Sequence, residues 1–142
     1  MEKDTDKLHH ELKKSDDFFE TFAQNTEHFV ENTVMFYLNE WLEEKKLTKA
    51  QVIRRSAMSE VTGYQYFDGK RNPSRERLIA LCFGLGLNDE EANQLLKKSG
   101  YARLYAKHVW DAVIIYGLAK DYSIEETNLL LFEKGLDTLG DF

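Results

Sequence analysis

The densest set of helix-start and helix-stop signals in this chain lies between Leu47 and Leu78, LTKAQVIRRSAMSEVTGYQYFDGKRNPSRERL. Thr48 is a good N-cap, and Val52 and Ile53 make the apolar face of the helix that follows it. Ala57-Met58-Ser59 reads as a tight turn, with Ser59 the next N-cap. Glu60 to Phe67 then form a second short helix, stopped at Asp68-Gly69 because glycine tolerates the left-handed conformation at a helix end. Pro73-Ser74 opens a third, since the residue before proline avoids helical geometry and Ser74 can cap. A chain punctuated in this way is constrained to short helices meeting at sharp angles.

Charge sets the same stretch apart. From Lys45 to Arg77 there are 9 basic and 3 acidic residues, a net charge of +6, in a chain whose net charge is −6. Positive charge gathered on one segment of an acidic protein is the footprint of a phosphate-binding face. Residues 1 to 44 are the opposite, with 4 basic and 12 acidic residues, and are expected to point away from nucleic acid.

No alternating β-branched runs bounded by turn dipeptides occur, and a single proline leaves little to break a helix, so the fold class is all-α. A length of 142 residues allows one core with a satellite layer. Cys82, the one cysteine, excludes an internal disulfide and reads as a small buried hydrophobe. The charged opening MEKDTDKLHHELKK is not a secretory signal, and no apolar run is long enough to span a bilayer, so a cytoplasmic protein without a membrane partner is expected.

Residues 1 to about 15 are highly charged and expected to fray. From Asp16, Phe18, Phe22, Phe29 and Phe36 recur at helical spacings with Val30, Val34, Leu38 and Leu42, as packing faces rather than a ligand cage. Thr26 is placed as the cap of a second helix reaching about Lys46. Beyond Arg75 an apolar helix ends at Gly84 or Gly86. The sequence then repeats: Asn88–Leu104 aligns without gaps on Ser123–Leu139 at an offset of 35, with Asn93/Asn128, Gly100/Gly135 and Leu104/Leu139 among the identities. Two helical hairpins are too few for a solenoid, so one bundle is expected, the second repeat packing behind the first. Glu90-Glu91 and Glu125-Glu126 fall in first helical turns, where the helix dipole favours them as capping features.

The L-T at 47–48, Val52, Ser59, Phe67-Asp68-Gly69-Lys70, Pro73-Ser74 and Leu78 resemble the Cro/C1-type helix-turn-helix family, also called the xenobiotic-response-element family of regulators. The resemblance covers residues 34 to 87. It implies a lambda-repressor-like helix-turn-helix bundle, here between an N-terminal extension (1–33) and a C-terminal hairpin-repeat region (88–142). By the same resemblance the partner is double-stranded DNA, bound by a transcriptional regulator that is not an enzyme. Thr48, Lys49, Lys70, Arg71, Asn72 and Arg75 match phosphate-contacting positions, with Arg77 extending the grip. Ser59, Glu60, Val61, Thr62 and Gln65 match the base-reading face of the recognition helix, where Gln65 can pair bidentately with adenine and Glu60 can accept from cytosine. Such proteins read two half-sites as symmetric dimers, and the aromatic N-terminal helix is the candidate dimer surface unless its own bundle buries it.

Three positions depart from the family pattern. A small residue is usual where Ile53 stands and a branched apolar one where Gly63 stands, so large and small have exchanged at one helix crossing. Conserved volume is expected there, with Gly63 weakening its helix by about 1 kcal/mol relative to Ala. Ala57 replaces the usual turn glycine, and Glu60 puts a carboxylate in the groove-facing set. A second reading follows from Glu60, Tyr64 and Tyr66: a protein-interaction adaptor built on the same scaffold, binding through the acidic helical extensions or the tyrosine face. His9, His10, His28 and His108 match no metal-binding spacing, and neither a nucleophile elbow nor a phosphate-binding glycine loop occurs, so no cofactor or metal is expected.

Overall fold

The computed structural model describes residues 5–15, 17, 19, 20 and 34–140. Every regular element among them is helical, giving an all-α protein. The helices are α1 (Thr5–Lys14), α2 (Val34–Glu44), α3 (Lys49–Arg55), α4 (Glu60–Asp68), α5 (Arg75–Gly84), α6 (Asp89–Lys98), α7 (Val109–Ala119) and α8 (Ile124–Glu133). The chain divides into two compact units, Met1–Asn32 and Thr33–Phe142. In the first, α1 is a regular helix where fraying was expected. Its charges are ordered for a helix, with Asp6 in the first turn and Lys13 and Lys14 in the last, matching the helix dipole at both ends. Phe18, Phe22, Phe29 and the Thr26 cap fall outside the described residues.

The second unit is built from three hairpins, α2–α3, α5–α6 and α7–α8, with α4 set between the first two. Each hairpin turns on the same corner. A left-handed residue stands at the corner, Lys46 (φ 54°), Gly86 (φ 69°) or Asp121 (φ 57°). The next residue's N–H returns to a carbonyl of the preceding helix: Leu47 to Leu42, Leu87 to Cys82 and Tyr122 to Gly117. A capping box follows in each, at Thr48/Gln51, Asn88/Glu91 and Ser123/Glu126. The repeat seen in sequence is therefore a structural one, and the first hairpin belongs to it as well. Asn93 accepts from the N–H of Leu104 at 2.8 Å, and Asn128 accepts from that of Leu139 at 2.7 Å, so the shared Asn and Leu are a bonded pair in both copies.

One core joins residues on both sides of position 87, from Val34, Leu38, Val52 and Ile53 to Ile114, Ile124 and Leu131. At its centre α5 packs on α3, α6 and α8. Helices α3 and α5 approach at Gly84, where a Cβ would run into Ser56 Oγ and the Val52 carbonyl. That Oγ is buried and donates to the same carbonyl. The expected exchange at the α3–α4 crossing is also present. A Cβ on Gly63 would lie 2.6 Å from Ile53 Cγ1 and 2.7 Å from its Cγ2. Ile53 fills the space that a side chain at 63 would need. Asn39 fastens α2 to the end of α4, its amide donating to the carbonyls of Met35 (2.8 Å) and Phe67 (3.0 Å).

Gly63→Val alone should destabilise the fold by overpacking, by about 1–3 kcal/mol. Ile53→Ala alone should cost about 2–5 kcal/mol through the cavity it leaves. Combined, they should cost less than their sum, by about 0.5–3 kcal/mol. Denaturant unfolding of the four proteins measures this coupling, and strict additivity would show that the two sites do not share one space.

Candidate nucleic-acid interface

The local chemistry of residues 47–74 explains how its side chains are placed. The Thr48 hydroxyl accepts from the Gln51 N–H at 3.2 Å and the Gln51 side chain returns to the Thr48 N–H at 2.9 Å, so α3 starts at a fixed angle. After Arg55 the chain turns through Ala57 at φ 53°. A non-glycine residue in that conformation costs roughly 1–2 kcal/mol, which the surrounding packing must offset. The backbone at Gly140 lies against this turn, close enough that a Cβ there would be 2.6 Å from the Ala57 carbonyl oxygen.

Ser59 then caps α4. Its hydroxyl accepts from the Thr62 N–H at 3.2 Å and bonds the Thr62 hydroxyl at 3.0 Å. Gly63, Tyr66 and Phe67 point into the core. The opposite face is open, with Glu60, Val61 and Tyr64 exposed and Thr62 and Gln65 half-buried. Val61 is 71% exposed and Tyr64 39%, too much for residues whose purpose is packing. The five candidate base readers, Ser59, Glu60, Val61, Thr62 and Gln65, thus share the first turn and a half of one helix. Gly69 ends α4 at φ 77°, and the N–H groups of Gly69 and Lys70 close onto the carbonyls of Tyr66 and Gln65. This throws Lys70, Arg71 and Asn72 outward, all exposed. Among the described residues neither Lys70 nor Arg71 has an ion-pair partner.

The remaining cations divide differently from the sequence expectation. Lys49 lies 3.5 Å from the carboxylate of Asp68, a half-exposed pair of the kind worth about 0–1 kcal/mol. Lys45 pairs with Glu91 at 3.2 Å. Arg75, placed by resemblance among the phosphate contacts, is held internally. Its guanidinium pairs with Asp111 at 2.9 Å and donates to the carbonyls of Ala102 and Arg103. Arg75 therefore brackets the loop before α7 to the start of α5, and its donors face protein. Asp111 in turn accepts from the Tyr105 N–H at 2.8 Å. Tyr101 reaches the Pro73 carbonyl from the same side. The loop carrying Lys70 and Arg71 is thus anchored by the repeat region. A lone carboxylate inside the apolar run VWDAVIIYGLA was the sequence signal for this bracket, because a buried Asp needs a cationic partner.

Among the described residues, no three His, Cys, Asp or Glu side chains come together as a metal site. Burial pushes the Cys82 thiol up to about 12, which keeps it protonated and unreactive. Among the described residues, no helix is long and apolar enough to cross a membrane.

Removing Asp111 with Ala should destabilise the protein by about 3 kcal/mol, the low end for breaking a buried pair, because Arg75 retains some contact with water. Arg75→Ala should cost a similar amount, and the double variant should lose little more than either single one. Thermal unfolding of the three variants tests this; independent, additive losses would mean that the bracket is not one unit. No family model, no curated protein and no solved structure matches the chain.

Proposed function

We propose that the chain is a DNA-binding transcriptional regulator acting in the cytoplasm, with residues 34–87 as a helix-turn-helix of the Cro/C1 type. The observation that carries this reading is the open face of α4. Its first turn is exposed, with Glu60 and Val61 outward, and the loop at its other end presents Lys70 and Arg71. A helix that packs firmly on one side and shows its N-terminal side chains on the other suits insertion in the major groove. In that pose Gln65 pairs with adenine N6 and N7, Glu60 accepts from cytosine N4, and Val61 meets a thymine methyl. Lys70 and Arg71 hold phosphates and set the register. Lys49 joins them by exchanging Asp68 for a phosphate, a small step for an exposed pair. A symmetric dimer would set two such helices about one DNA turn apart.

A protein-interaction adaptor is the second reading. Val61 and Tyr64, exposed beside Glu60 and Asp68, favour it, because an apolar patch with acidic neighbours suits a protein surface better than a phosphate.

Recovery of bound fragments from a random-sequence duplex pool separates the two. Gln65→Ala should change which sequences are recovered, at about 1–3 kcal/mol for the base it reads. Lys70→Ala and Arg71→Ala should weaken binding to every sequence alike. Equal losses from all three on every sequence would remove Gln65 as a base reader, and recovery of no duplex at all would favour the adaptor.

A further inference from the structure

Arg54 and Arg55 take no part in the contacts proposed above. They close the last turn of α3, exposed to solvent, and both line a cleft of about 410 Å³. The cleft lies where the three hairpins converge. The first hairpin supplies the two arginines, the second Phe83, and the third Asp121, Tyr122 and Glu125. Its volume falls within the range of small-molecule sites, about 300–1,000 Å³, and exceeds what one bare ion needs.

The charges in the cleft stand unpaired. Among the described residues Arg54, Arg55, Asp121 and Glu125 make no ion pair and no side-chain hydrogen bond. Two cations, Arg54 and Arg55, and three anions, Asp121, Glu125 and Glu126, therefore line one cavity with no cation within 4.0 Å of a carboxylate. Their backbones are set by rigid features. Ser56 bonds the Val52 carbonyl and packs on Gly84 at the end of α3, while Asp121 is the left-handed corner of the α7–α8 hairpin. Glu126 differs from its neighbour Glu125 in that one of its carboxylate oxygens accepts from the Ser123 N–H at 3.0 Å.

We propose that this cleft binds a small zwitterion whose two charges sit at opposite ends of an apolar body. Arg54 and Arg55 hold the carboxylate end, for which the planar guanidinium offers paired donors. Asp121 and Glu125 hold the ammonium end. With Glu126 beside them in the lining, their full charges outweigh the roughly +0.5 charge at the N-terminus of α8. The body lies against Phe83, a residue 8% exposed, and Tyr122. A ligand with one charge satisfies one wall and leaves the other unmatched, so the site selects for both. The proposal does not depend on the DNA-binding reading.

The test is isothermal titration calorimetry on the full chain at low ionic strength. The probes are 4-aminobutanoic, 6-aminohexanoic and 8-aminooctanoic acids, with hexanoic acid and hexylamine as single-charge controls. One amino acid of the series should bind at least about tenfold tighter than either control. Arg54→Gln with Arg55→Gln, Glu125→Gln, and Asp121→Asn (which keeps a residue tolerant of the left-handed corner) should each weaken it about tenfold. Their helical circular dichroism and unfolding midpoints should stay unchanged. Hexanoic acid binding as tightly as the amino acids would overturn the proposal, leaving an anion site only. So would the absence of binding by every probe at about 10 mM, or variants that bind as the parent does.

Discussion

Ile53 and Gly63 occupy one space between them, and what α4 presents to solvent depends on that contact. Cγ1 and Cγ2 of Ile53 stand 2.6 and 2.7 Å from where a Cβ on Gly63 would be. With no side chain at 63, α4 settles onto α3 at that point and Tyr66 and Phe67 turn into the core. The other side of α4, with Glu60, Val61 and Tyr64, has nowhere to face but water. The intrinsic weakness of a glycine in a short helix, about 1 kcal/mol, is offset by fit. The Ser59 cap, the Gly69 stop and the Asn39 amide at the Phe67 carbonyl hold the helix in register on that contact.

Around this crossing the unit is an array of like hairpins with one helix inserted. The caps Thr48, Asn88 and Ser123 lie 40 and then 35 residues apart, and α4 accounts for the irregular first interval. The repeat region also supports the candidate interface directly. Tyr101 and the Arg75–Asp111 bracket anchor the loop bearing Lys70 and Arg71, while the backbone at Gly140 rests on the Ala57 turn. Arg54 lines both the three-hairpin cleft and the groove beside Met58, Ser59 and Glu60, so the two surfaces share a residue.

The parts legible in the sequence were those governed by local rules. Thr48, Ser59, Ser74, Asn88 and Ser123 cap helices because side-chain oxygens there meet free N–H groups a turn away. The exchange of Ile53 for Gly63 was legible because two departures in opposite directions pointed to one contact. What was not legible was long-range. Arg75 reads as a surface cation until Asp111, 36 residues on, is brought to it. The first hairpin escaped the repeat because Ala57 stands where Gly100 and Gly135 end the other two, and left-handed backbone at an Ala leaves no compositional trace. The charged opening hid α1 for a related reason: the order of its charges, rather than their number, favours a helix.

The central claim is that Lys70 and Arg71, joined by Lys49, grip duplex phosphates while α4 lies in the groove. The salt dependence of binding to a mixed-sequence duplex tests it most directly, because each phosphate contact releases counterions. Affinity should fall with a slope of log K against log salt of about −2 to −3 per chain, at about −0.9 per contact. A duplex left unbound at low salt, or an affinity that does not change with salt, would contradict it.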